Sequence, residues 1–106
     1  MAMLNKVTIH FGGGCELLFG NNTTLVLCNN VPVGATLALL VAELRNNYCR
    51  ERPEQFAIPN SVGGDVKLRP GILALINDCD AEIDGGEEYV VQDGDTIAFI
   101  STLHGG

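Results

Sequence analysis

Only one stretch of this chain spaces its apolar residues as a helix would. Leu37, Leu40, Val41, Leu44 and Tyr48 recur at i, i+3, i+4, i+7 and i+11, a single apolar stripe. Thr36 stands before the stripe as its expected N-cap. Pro53 prevents much continuation beyond Arg50. One helix cannot bury its own stripe, so it must lie on something else. The other apolar segments are short and read as strands, which leaves one arrangement: a helix across one face of a sheet.

The strands follow from alternation and turn chemistry. Residues 6–11 alternate, with Val7, Ile9 and Phe11 on one face and Lys6, Thr8 and His10 on the other. After Gly12, Gly13 and Gly14, residues 15–19 are expected to be extended. A turn at residues 20–22 leads into the β-rich residues 23–28. The opening therefore predicts an antiparallel hairpin kinked at the glycines. A phosphate-binding loop would lead into a helix, so the triple glycine is not read as one. Residues 51–69 read as irregular, with one short turn at residues 53–56. Residues 72–76 predict a fully buried strand ended by the Asn77-Asp78 turn. Glu82-Ile83 is a brief extended piece and residues 89–91 another short strand. Asp93-Gly94 turns the chain into a final strand, residues 95–101. The class is α+β: a mixed sheet of four or five strands with one main helix across one face.

Composition removes several functions. A chain of 106 residues with 46% apolar and 18% charged residues is one folded domain. Its longest apolar run, residues 72–76, is far too short to cross a bilayer, which takes about 20 residues. No signal-peptide apolar region precedes residue 6, so the expected location is the cytosol or nucleus, with no membrane role. Net charge is −7, and the six basic residues are scattered. Direct nucleic-acid binding needs a basic stripe, and there is none. Cys15, Cys28, Cys49 and Cys79 form no CxxC pair, so neither a metal site nor a dithiol redox centre is expected. They read as reduced and mostly buried thiols. The same spacing opposes a plant-type iron–sulfur ferredoxin, whose cysteines follow C-x₄-C-x₂-C. His10 reads as exposed.

The chemistry lies at the end of the chain. Gly105-Gly106 closes a short tail, so the chain divides into a domain over residues 1–101 and a flexible tail over residues 102–106. A terminal carboxylate is anionic at neutral pH and a poor acyl donor until a leaving group is installed. Adenylation supplies one. A sulfur nucleophile then gives a thiocarboxylate, and an amine gives an isopeptide bond. Glycines lack a Cβ and permit close approach to a nucleotide. Five extended residues reach at most about 17 Å, enough to thread a channel while the domain docks outside.

Four segments carry a resemblance. Residues 69–80 and 95–106, and more weakly residues 11–19 and 51–56, resemble blocks of the ubiquitin-related modifier family, whose eukaryotic members are both sulfur carriers and protein tags. The similarity runs essentially end to end. Two departures stand out: Ala81 sits where members usually carry tryptophan, and residues 63–67 look like a small insertion. The first bears on a surface contact, and neither touches the tail.

The resemblance implies a β-grasp fold and no enzymatic activity of the chain's own. It implies that Gly106 is adenylated and then thiocarboxylated by an activating enzyme, an adenylyltransferase and sulfurtransferase that uses ATP and a sulfur donor. A separate thiolase complex then delivers the sulfur to the wobble uridine of certain transfer RNAs. It also implies attachment of Gly106 to lysines of target proteins. Thr102, Leu103, His104 and Gly105 become the tail residues that the activating enzyme reads. Ubiquitin-type tails carry arginine where His104 stands, so a largely neutral imidazole keeps the pathways apart. No bound cofactor or metal is implied, and a monomer is expected. The alternatives are a ubiquitin-like interaction domain that is never activated and, more remotely, the ferredoxin already opposed.

Overall fold

The computed structural model describes residues 2–59 and 66–102. The calls on Leu103, His104, Gly105 and Gly106, and on most of the insertion, lie outside the described residues. Strand β1 (Val7–Gly12) buries Val7, Ile9 and Phe11, as its alternation requires. It pairs antiparallel with β2 (Thr24–Leu27). Helix α1 (Leu37–Glu43) follows, and Thr36 Oγ1 accepts the Leu39 N–H at 3.2 Å, the predicted N-cap. Leu37, Leu40, Val41 and Leu44 are 2% exposed or less, so the stripe is core. The last turn, Leu44–Tyr48, widens: the Cys49 N–H bonds the Leu44 carbonyl, five residues back.

Residues 51–69 are more regular than expected. A 3₁₀ turn at Pro53–Gln55 leads into β3 (Ala57–Pro59), which pairs antiparallel with β4 (Val66–Leu68) as a separate two-stranded ribbon. Strand β5 (Ile72–Ile76) is not fully buried. Ala74 and Ile76 face the core, whereas Leu73 is 37% exposed on the opposite face. Asn77 and Asp78, both at positive φ, turn β5 into the two-residue β6 (Cys79–Asp80). The extended piece expected at Glu82-Ile83 is instead a 3₁₀ turn, Ala81–Asp84, capped by Asp80 Oδ1 on the Glu82 N–H at 3.0 Å. The expected strand at residues 89–91 reduces to a single bridge between Val90 and Thr36.

The final strand, β7 (Thr96–Ser101), lies at the centre of a five-stranded sheet ordered β2-β1-β7-β5-β6. It is parallel to β1 and antiparallel to β5. The mixed sheet with α1 across one face is the α+β arrangement expected. All four phenylalanines of the chain meet between sheet and helix. Phe11 stacks on Phe19 at 4.0 Å, and Phe56 meets Phe19 and Phe99 edge-on at 5.0 and 5.3 Å.

Candidate functional site

Because β1 and β7 run parallel, their C-terminal ends emerge side by side, Gly12 opposite Ile100. The chain therefore leaves the sheet between two loops: the one after β1 and the one before β5. Ile72 pairs with Ser101 on the β5 side. One residue on, the Thr102 N–H donates to the Gly71 carbonyl at 2.7 Å, and Thr102 Oγ1 donates to the same oxygen at 2.6 Å. Thr102 is exposed but tied, so it belongs to the end of the sheet and not to a free tail.

The loop after β1 also differs from expectation. Gly12, Gly13 and Gly14 lead into a 3₁₀ helix, Cys15–Phe19, and not into extended chain. The Gly14 N–H, the donor a phosphate loop would offer an anion, is occupied by Glu16 Oε1 at 2.9 Å. A carboxylate at that position repels phosphate, so the loop fails as a phosphate cradle for a reason other than its expected extension. Gly13, at φ +65°, packs against the end of β7. A methyl there would overlap the Ser101 carbonyl oxygen and press on Ile100 Cγ2 at 3.1 Å. Gly13 and Gly71 were missed as site residues. No sequence signal marks them, because each is defined by a partner distant in sequence, Ser101 for Gly13 and Thr102 for Gly71.

The face of the sheet opposite α1 continues to this exit. Leu73 pairs with Ile100 and Leu75 with Ala98, giving a partly exposed apolar strip beside Thr102. His10 is exposed next to it, with Nδ1 at 3.1 Å from Thr24 Oγ1. Ala81, read as bearing on a surface contact, is 4% exposed on the helix side. There it lines a groove of about 230 Å³ with Leu37, Ile72 and Ala74.

The thiols are less buried than expected. Cys15 is buried and Cys49 half-buried, but Cys28 and Cys79 are exposed, and all four are free. Burial, helped by the neighbouring Glu16 charge, pushes the Cys15 thiol up to about 12. Burial also raises Cys49, against a smaller opposing effect of the Glu51 backbone. Such thiols are poorer nucleophiles at neutral pH than a free cysteine. Among the described residues no group of three or more His, Cys, Asp or Glu side chains could hold a metal ion.

A family model described as Urm1 (Ubiquitin related modifier) matches residues 6–106. The chain belongs to the Urm1 family. It is 48% identical over 103 residues to the ubiquitin-related modifier 1 homolog of Chlamydomonas reinhardtii, covering 95% of this chain and 98% of that one. It is 52% identical to Urm1 of Trypanosoma brucei, whose solution structure it matches with a TM-score of 0.79 over all of both chains. A chain of the BexX/CysO complex of Amycolatopsis orientalis shares the fold, at 22% identity and a TM-score of 0.66, over 94% of this chain and 99% of that one. The β-grasp fold of a ubiquitin-like modifier is thus established, and the Urm1 match extends through Gly106.

Proposed function

We propose that this chain is an acyl carrier whose reactive group is the Gly106 carboxylate. A carboxylate oxygen attacks the α-phosphorus of ATP, pyrophosphate leaves, and the acyl adenylate carries the activation. The sulfur of a donor then displaces AMP to give a C-terminal thiocarboxylate. A thiolase complex passes that sulfur to the wobble uridine of transfer RNA. Alternatively, a lysine amine of a target protein takes the activated acyl group as an isopeptide. The adenylation and sulfur transfer belong to the activating enzyme, so this chain is its co-substrate and not itself a catalyst. It works as a cytosolic or nuclear monomer with no metal, bound cofactor, membrane or direct nucleic-acid contact.

The observation that carries this reading is the placement of β7. The strand leading to Gly106 is the central one of the sheet and ends in the open, beside the apolar strip of Leu73, Leu75 and Ile100. A docked enzyme covers that strip and reads Thr102, Leu103, His104 and Gly105 on the way to Gly106. That a chain of the same fold occurs in the BexX/CysO complex supports a partner on this scaffold.

The test supplies the full chain with its activating enzyme, ATP and a sulfur donor, followed by peptide mass spectrometry. The expected product carries sulfur in place of one oxygen on the C-terminal peptide. Unchanged Gly106 would favour an interaction domain that is never activated, and sulfur on a cysteine would overturn the reading.

A further inference from the structure

We propose that Gly13, Gly71 and Thr102 form a clamp on the end of β7 that sets the direction in which the C-terminal segment leaves the domain. Gly13 and Thr102 are then positioning residues for the terminal activation proposed above, on which this role depends.

On one side, Gly13 is required twice over. Its φ of +65° disfavours any side chain, and the space a Cβ would take is filled by the Ser101 carbonyl oxygen. Gly14 separates these two demands: its φ is +105°, yet a Cβ there would meet nothing within 4 Å. The close approach to β7 therefore belongs to Gly13 alone. The loop cannot retreat to make room, because Phe11 is packed on Phe19 at 4.0 Å and on Phe99 at 6.2 Å immediately below it. On the other side, one carbonyl, that of Gly71, receives both the N–H and the hydroxyl of Thr102. A single backbone bond would act as a hinge. The second bond, through the side chain, fixes the residue about that hinge.

The mechanical consequence is large. Residues 103–106 can reach at most about 13 Å, so the point and direction in which Thr102 releases them bound where an enzyme can hold the terminal carboxylate. Displacements of about 1 Å at a reacting centre can cost about a hundredfold in rate.

The experiment measures pyrophosphate–ATP exchange by the activating enzyme with full-length variants, separating kcat from KM for this chain. Gly13→Ala and Thr102→Val should each lower kcat at least about tenfold, and in Gly13→Ala, which leaves both the sheet face and the residues the enzyme reads intact, KM should change less than about twofold. Thr102→Ser, which keeps the hydroxyl, should restore kcat. Gly14→Ala should leave kcat near wild type. In parallel, hydrogen exchange should find the Thr102 amide protected in the wild type and less so in Gly13→Ala.

Full kcat in Gly13→Ala and Thr102→Val would overturn the clamp, as would equal losses in Gly13→Ala and Gly14→Ala. An unprotected Thr102 amide in the wild type would do the same. If the wild type supports no exchange at all, the proposed activation fails and takes the positioning role with it, an outcome distinct from the others.

Discussion

Asp95 is the one charged side chain buried among the described residues, and its partners explain why it is tolerated. Its Oδ1 accepts Asn77 Nδ2 at 2.9 Å, while Oδ2 accepts the Tyr89 hydroxyl at 2.5 Å and the Gln92 N–H at 2.8 Å. These bonds tie the β5–β6 turn and the segment just before β7 to the start of that strand. Asp95→Ala leaves those donors unpaired and should cost about 3 kcal/mol in urea unfolding, with Tyr89→Phe costing about 1–2 kcal/mol. Burial, with the hydrogen bond to Asp95, pushes the Tyr89 hydroxyl up to about 12 from 10.0. Cys15 rises to about 12 from 9.0. A raised folded-state pKa contributes stability that is complete below the unfolded value and lost as pH climbs through the folded one. Unfolding free energy should therefore fall between about pH 9 and pH 12. Tyr89→Phe should remove the part of that fall above pH 10.0, and Cys15→Ala the part that begins at 9.0. A flat profile in the wild type across that range would refute both assignments. Asp95 was legible only as the first residue of the last strand; its network joins residues 89–95 to Asn77, a pairing that no local pattern shows.

At the scale of elements, the sequence was clear wherever periodicity was strong. Val7, Ile9 and Phe11, the α1 stripe, and the Asp93-Gly94 turn all lie as their spacing predicts. It failed where structure is set by distant contacts. The arms of β3 and β4 are three residues each, too short to show alternation, and β3 ends on Pro59. Cys15–Phe19 looks like strand by composition, yet a left-handed Gly14 and the Glu16 contact start a 3₁₀ turn there. Ile72–Ile76 is all apolar, which suggested burial on both faces; its outer side forms the exposed strip instead. That difference has a functional consequence. Leu73→Asp places a charge on the strip without entering the core; the lost half-burial and the poor strand propensity of Asp should cost about 1–2 kcal/mol while the domain stays folded. KM for the activating enzyme should rise at least about tenfold, the loss of a central apolar contact at an interface. An unchanged KM would place docking elsewhere. By contrast, Leu40→Ala under the sheet should cost about 2–5 kcal/mol without touching the site.

The whole molecule separates support from chemistry. Among the described residues the contacts that hold the fold run from the phenylalanine cluster to the Asp95 network, and Thr102 is the last of them bonded to the domain. Gly106 is proposed as the reactive end from the sequence, whereas Gly13 and Gly71 carried no such signal: parallel pairing of β1 with β7 brings Gly13 to the exit, and antiparallel pairing of β5 with β7 brings Gly71. Deleting Gly106 should therefore leave the unfolding midpoint unchanged and abolish both thiocarboxylate formation and conjugation. The same division governs what the chain can be attached to. Lys6 and Lys67 are the only side-chain amines, both exposed. Lys6 lies beside the β7 entry turn, where its N–H donates to Asp93 Oδ1 at 2.9 Å, and Lys67 lies on the separate β3–β4 ribbon. With so few acceptors, conjugation assays should give adducts on other proteins and no long ladder of self-linked chains. Replacing both lysines by arginine keeps the charge and should leave the conjugate pattern unchanged. A homopolymeric ladder that disappears in the double variant would instead make this chain its own substrate, and the modifier would then signal by polymer length and not by single attachment.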